Sequence, residues 1–245
     1  YASGTSYSKV QGNENVGAIC GLNLGSVDGC SVGAEVKGSK NVGIVVGTNS
    51  NGRVSACETI KTRIESGSTT IDNHSYVTGA DNVGGIVGYN TGIGSIAECS
   101  NEGEVNTNGY GGGIVGLSDA KAINSENHSI SDVINRGPLT GSGKRGQLAG
   151  KIAEPAYNVL VTSVGVALGE ASSSVQNCYV VDDSNSALYQ NNAFKTEVYK
   201  NFNFDSVWGM SPTELDISTN KYSYPLVKSG DDNYPKLRNL RSSKE

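Results

Sequence analysis

Five times along the chain, two glycines bracket three residues whose middle member is aliphatic: Gly17-Ala-Ile-Cys-Gly21, Gly43-Ile-Val-Val-Gly47, Gly84-Gly-Ile-Val-Gly88, Gly112-Gly-Ile-Val-Gly116 and Gly146-Gln-Leu-Ala-Gly150. Their first glycines are 26, 41, 28 and 34 residues apart. Self-similarity at such periods marks a repeat architecture, in which each unit buries its apolar face only by stacking on the next. An Asn-Val pair precedes the first three motifs, at Asn15-Val16, Asn41-Val42 and Asn82-Val83. A second mark, aliphatic-x-x-Cys, follows at Val27/Cys30, Val54/Cys57 and Ile96/Cys99 and returns at Val175/Cys178, with Ser125 near the expected place in the fourth unit. The step from first glycine to second mark stays nearly constant over these units. Length variation therefore falls in the other arc, chiefly in an insertion around Ser66 to Thr78.

Each unit reads as two short strands, the glycine motif and the Cys segment, joined by turns such as Thr48-Asn-Ser-Asn-Gly52. No stretch keeps a 3.6-residue apolar period for long without a glycine, which removes the helical solenoids. Propeller blades need four strands per unit, more than these periods hold. A parallel coil remains, one unit per rung, with rungs about 4.8 Å apart. The central motif position is Ile19, Val45, Ile86, Ile114 or Leu148 and is expected to point inward, while the position before it drifts through Ala18, Ile44, Gly85, Gly113 and Gln147. Strand alternation then puts the flanking glycines inward as well, where a missing side chain lets another wall come close. Val46, Val87 and Val115 would point outward yet are apolar, which calls for a covering loop, a partner or a bend.

Composition supports this reading. Glycine supplies 33 of 245 residues and proline 5, so glycine serves recurrent geometry and not a collagen or linker composition. A net charge of −5 lacks the electrostatic attraction that nucleic acid or an anionic membrane surface requires. The most apolar run, Val159 to Leu168, is broken by Thr162, Ser163 and Gly165, so no membrane helix is expected. The start at Tyr1, without Met, a basic segment or an apolar leader, reads as a piece of a longer protein. Five widely spaced cysteines without Cys-x-x-Cys fit neither a disulfide framework nor a zinc ribbon. Stacked rungs would instead set Cys30, Cys57 and Cys99 in an interior column of small apolar side chains.

The glycine motif, spaced by Asn- and Gly-rich segments with a Cys-containing strand, resembles the GLUG repeat of bacterial surface proteins, found in adhesins and beside the catalytic part of immunoglobulin A-cleaving metallopeptidases. The resemblance covers Asn15 to Gly150. Phe202-Asn-Phe-Asp-Ser-Val-Trp208 and Tyr234-Pro-Lys-Leu237 extend it to about Leu240. It implies a right-handed parallel β-helix and an extracellular setting, secreted or on the bacterial cell surface. It supplies no catalytic residue. The His-Glu-x-x-His zinc motif of such peptidases is missing, since the histidines are His74 and His128, and no Leu-Pro-x-Thr-Gly anchor is found.

Candidates for chemistry are sparse. Asn73-His74-Ser75 and Asn127-His128-Ser129 are identical tripeptides that could stack two imidazoles, and they read more simply as turns. Asp182-Asp183 follows the strand around Cys178, but adjacent strand residues face opposite sides, so one of them at most could serve a glycan-cleaving surface. Asp231-Asp232 reads as a solvated turn, and no calcium-loop pattern is present. Trp208, Phe202, Phe204, Tyr222, Tyr224 and Tyr234 crowd after residue 200 and suit an end cap covering the last rung. Lys236, Arg238, Arg241 and Lys244 form a basic tail.

The sequence thus predicts an all-β, right-handed parallel β-helix: rungs over 1–154, then final rungs, aromatic cap and basic tail of the same domain over 155–245. No catalytic, cofactor or metal residue is assigned, and no ligand-binding residue is identifiable. The expected role is noncatalytic, in adhesion to a host glycan or protein or as a rigid spacer, within a larger parent polypeptide. An accessory domain that holds immunoglobulin A for a metallopeptidase is the alternative, and a glycan-active β-helix enzyme the third reading. Replacing Ile86 by Asp should abolish the cooperative melt by burying an unpaired charge. An unchanged melting temperature would overturn the inward assignment.

Overall fold

The computed structural model describes residues 8–66, 69–123, 128–161, 167–170, 175–180, 208–209 and 236–237. Among these every strand of the coil pairs parallel with its counterpart one rung away, and four sheets run along the stack. Sheet A is Ser8–Gln11, Ala34–Lys37, Tyr76–Gly79, Glu104–Thr107 and Leu139–Thr140. Sheet B is Glu14–Val16, Lys40–Gly43, Asp81–Gly84, Tyr110–Gly112 and Lys144–Gly146. Sheet C is Cys20–Asn23, Val46–Ser50, Val87–Thr91, Val115–Ser118 and Ala149–Ile152. Sheet D begins each lower rung as two short strands, such as Arg53–Ser55 and Glu58–Thr59, which fuse into Ile130–Asn135 and continue through Ala156–Val161 and Val175–Val180. The chain is a parallel β-helix.

Each rung therefore holds more strands than the two expected. The glycine motif is not one strand but a corner: Lys40–Gly43 ends in sheet B, Ile44 and Val45 turn, and Val46–Ser50 begins sheet C. That bend resolves the conflict over Val46, Val87 and Val115. They face the interior from sheet C, in one column with Cys20 and Ala149, and all three valines are fully buried. Val45, Ile86, Ile114 and Leu148 also point inward and are fully buried, each contributing about 1.5–3 kcal/mol of apolar burial. Ile19 departs from the expectation, 50 % exposed, because it lies in the first described rung and no other described rung stacks beneath it.

The glycines mark where sheets B and C meet backbone to backbone. A Cβ at Gly88 would stand 2.5 Å from the Asn41 carbonyl carbon and 2.7 Å from the Gly47 oxygen, and one at Gly43 would stand 2.8 Å from the Gly88 nitrogen. No side chain fits there. The Asn before each motif has its own geometric reason. Asn15, Asn41 and Asn82 have φ of 55°, 55° and 53°, the left-handed region that Asn tolerates better than most residues. They form a ladder, Asn41 Nδ2 donating to Asn15 Oδ1 at 3.0 Å and Asn82 Nδ2 to Asn41 Oδ1 at 2.8 Å. It stops at Asn82, whose buried Oδ1 has no partner, because the fourth rung continues with Tyr110-Gly111.

Two further ladders line the interior. Asn23, Asn49, Asn90 and Ser118 are joined at 2.8, 2.8 and 3.2 Å. Thr59, Asn101, Asn135 and Gln147 are joined at 2.5, 2.9 and 2.6 Å. A buried polar group costs little once its donors and acceptors are met, and here each amide is matched by the rung above or below. This third ladder explains the drift before the central aliphatic. Gly85 and Gly113 leave the room that the Asn101 and Asn135 amides fill, whereas Ile44 and Thr59 hold the equivalent places one rung down.

The second mark is borne out in register. Val27, Val54, Ile96, Ile130 and Ala156 stack, and Val175 follows. The column through Cys30, Cys57 and Cys99 passes to Val133 and Val159 before reaching Cys178. The fourth-rung place thus belongs to Val133 and not Ser125, because the connection after Val115–Ser118 is longer than in other rungs. The insertion is an antiparallel hairpin, Lys61–Ser66 with Thr69–His74, which pairs Ile64 with Ile71 and adds nothing to the four sheets. Trp208–Gly209 pairs antiparallel with Lys236–Leu237. The expected cap otherwise lies outside the described residues, with Phe202, Phe204, Tyr222, Tyr224, Tyr234 and the tail residues Arg238, Arg241 and Lys244.

Gly88→Ala should lower stability by about 3 kcal/mol in urea denaturation, since backbone would have to move. Gly25→Ala is the control: nothing lies within 4 Å of that position, and its midpoint should hold within about 0.5 kcal/mol.

Candidate functional site

Cys57 and Cys99 are packing groups. Cys57 and Cys99 are fully buried, and their Sγ–H groups each donate to a carbonyl two residues back, of Ser55 and Ala97, both at 3.1 Å. Burial pushes the Cys99 thiol well above the ordinary range, and also raises Cys30, so both favour the unreactive thiol. Cys20, Cys30, Cys57 and Cys99 form no disulfide.

The two histidines lie at different places along the coil. His74 ends the hairpin strand Thr69–His74, whereas His128 precedes Ile130–Asn135 and lies face to face with Tyr157, ring centroids 3.3 Å apart and planes 15° apart. The identical tripeptides thus sit at non-equivalent places in their rungs, so they do not form a repeated stacked pair. Asp182-Asp183 and Asp231-Asp232 lie outside the described residues. Among the described residues no group of three His, Cys, Asp or Glu side chains is placed to hold a metal ion.

A carboxylate pair that sequence inspection missed sits just before the Cys column. Gly29, Ala56, Glu98 and Asp132 occupy one left-handed position per rung, with φ of 65°, 48°, 56° and 53°. Glu98 and Asp132 are therefore neighbours across one strand spacing. Partial burial, then Asp132, raises the Glu98 carboxyl above its ordinary value of 4.5, with Arg53 opposing. Their only sequence signal was adjacency to the second mark.

The described surface also carries a polar cleft of about 360 Å³ at the corner between sheets A and B. It is lined by Asp81, Asn108, Gly109, Tyr110, Ser142, Gly143 and Lys144, from three successive rungs. The floor depends on glycine: a Cβ at Gly109 would stand 2.5 Å from the Ala80 oxygen and 2.7 Å from Asp81 Oδ1, and one at Gly143 2.6 Å from the Asn108 carbonyl carbon. Asp81 Oδ1 accepts from the Asn82 N–H at 3.1 Å, and Ser142 Oγ donates to Asn108 Oδ1 at 3.0 Å. The Tyr110 hydroxyl donates to Glu170 Oε2 at 3.0 Å. Glu170 also takes Lys151 at 2.6 Å and pairs closely with Lys144, and these two ammonium groups, with the Tyr110 hydroxyl, hold its carboxyl down at about 2. The ammonium groups of Lys144 and Lys151 lie 5.5 and 5.9 Å from the Tyr110 ring centroid. Chemically the cleft offers an aromatic wall, a carboxylate, an amide, a hydroxyl and an ammonium in one small space.

One circuit of the coil decides what the unit is. Gly79 stands in register with Thr107, so residues 79–106 make one full turn through sheets B, C and D and back to A. Those same residues match the GLUG motif. The GLUG motif is thus one rung of this β-helix, opening at the corner that carries the cleft and contributing Asp81 to it. Neither the comparison with curated proteins nor that with solved structures gave a match.

Glu98 generates a prediction with a defined sign. Its raised value means the folded chain holds that proton more tightly, so the stability it gives is full below about pH 4.5 and is lost as pH rises through the raised value. Glu98→Gln should therefore gain on the order of 0.5 kcal/mol at pH 7 and nothing at pH 3, read from paired urea titrations.

Proposed function

We propose that this chain is a noncatalytic β-helical module of a secreted or cell-surface bacterial protein, and that it binds a host ligand in adhesion. The observation that carries this reading is the cleft spread over three rungs at an outward corner, where stacked rungs hold polar and aromatic side chains on closely packed backbone at Gly109 and Gly143. Two features favour binding over catalysis. Cys57 and Cys99 are buried among apolar side chains, away from any substrate, and the cleft itself brings one carboxylate, Asp81, where glycoside cleavage uses a pair. The rest of the parent polypeptide would supply attachment to the cell and any chemistry. A role beside an immunoglobulin A-cleaving metallopeptidase fits the same architecture, with the coil holding the antibody.

The test is binding of the purified 245 residues to an array of host glycans, mucin, matrix proteins and immunoglobulin A, with cleavage of each followed in parallel. Selective binding without turnover is the expected result. Immunoglobulin A as the selective hit would move the assignment to the peptidase-associated role. Turnover of any glycan would overturn the noncatalytic reading, and binding to nothing would leave the coil as a rigid spacer.

A further inference from the structure

Resting on that binding role, we infer that the cleft at Asp81, Asn108, Tyr110, Ser142 and Lys144 is the ligand site, and that it takes an uncharged pyranose unit of a glycan.

The chemistry of the wall selects the class. A pyranose presents hydroxyls that both donate and accept beside a face of C–H groups, so its site needs planar polar side chains next to an aromatic ring. Tyr110 supplies the half-buried ring, held by its hydroxyl bond to Glu170. Asn108 and Ser142, exposed and already hydrogen-bonded to each other, supply an amide and a hydroxyl with donor and acceptor capacity to spare. Asp81 supplies an acceptor whose first oxygen is fixed by the Asn82 N–H. The glycine floor at Gly109 and Gly143 clears the space. At about 360 Å³ it lies at the small end of ligand sites, which run to roughly 300–1,000 Å³, and has room for one or two sugar rings.

Charge fixes the finer choice. Lys144 faces the cleft, yet it and Lys151 are both committed to Glu170, which stays ionised down to about pH 2. Two ammonium groups and the two carboxylates, Asp81 and Glu170, leave no surplus of either sign. A phosphate, sulfate or sialic carboxylate would meet Asp81, while the one ammonium among the described lining residues, Lys144, is already held by Glu170. A divalent cation would find one carboxylate in the described lining, Asp81, since Glu170 lies outside that lining and is taken by two ammonium groups, whereas the ion needs several oxygen ligands.

The experiment uses the whole chain on an immobilised array of neutral oligosaccharides with matched sialylated and sulfated members, then calorimetry with the tightest-bound soluble oligosaccharide. Neutral members should be preferred, and affinity should hold within about twofold from pH 6 to pH 8. Tyr110→Ala and Asn108→Ala should each weaken binding tenfold or more at an unchanged melting temperature, whereas Tyr110→Phe, which keeps the ring, should stay within threefold. If Tyr110→Ala proves unfolded, Asn108→Ala and Ser142→Ala, both on the exposed corner, carry the test. Full binding by the folded Asn108→Ala and Ser142→Ala variants would leave the adhesive role standing and overturn this site. A preference for sialylated or sulfated members would overturn the neutral assignment. Failure of the unmodified chain to bind any glycan, with binding to a protein on the wider array, would overturn the sugar class alone, and binding to neither would remove the adhesive role with it.

Discussion

Contact between two walls of backbone sets the terms for everything else in this coil. Where sheets B and C approach, the spacing admits hydrogens and no side chains, so Gly43, Gly88 and their equivalents are fixed by exclusion. The corner between them then has two residues in which to turn, and at Ile44-Val45 both fall inside. From that corner follow the left-handed Asn before it, the inward valine after it and the stacking of each rung on the last. Propensity has little say in such a fold. What a residue finds directly above and below decides whether it fits.

Vertical matching also explains how an interior can hold so many amides. Asn49, Asn90, Asn101 and Asn135 are fully buried, a costly placement for any one of them alone. An amide carries a donor and an acceptor at opposite corners, and a stack of amides satisfies itself with no help from water. The same arithmetic shows where a ladder must end. Ser118 and Gln147 close two of them with a hydroxyl and a longer amide, whereas the ladder through Asn82 ends on an oxygen without a partner.

Much of the fold was legible because the constraints repeat. Glycine pairs, Asn-Val and the Cys mark recur in one chain, so comparing rungs substitutes for comparing relatives, and the interior Cys column and the inward Val45, Ile86, Ile114 and Leu148 could be read directly. Three things could not. The bend at Ile44-Val45 leaves no mark besides an apolar residue on the supposedly wet side. The fourth-rung replacement of Cys by Val133 follows a longer loop, which drew the eye to Ser125. The cleft was invisible because Asp81, Asn108 and Ser142 are far apart in sequence and become neighbours only once the rungs are stacked in register. Glu98 and Asp132 were hidden for a related reason: each looks like an ordinary surface carboxylate until its left-handed backbone sets one above the other.

The fit of Gly85 to Asn101 and of Gly113 to Asn135, where the rung below has Ile44 and Thr59 at the equivalent positions, has a bearing on how such coils change over time. Each rung carries its own lock and key across the interior, and the key also touches the rung above. Units that look interchangeable as motifs are not interchangeable as parts. A duplicated or recombined rung would bring its corner residue against the wrong partner, an isoleucine against an amide or a glycine against a hydroxyl. Growth by whole-unit exchange is penalised inside the coil, while the outward hairpin between Lys61 and His74 is free to lengthen, shorten or diverge.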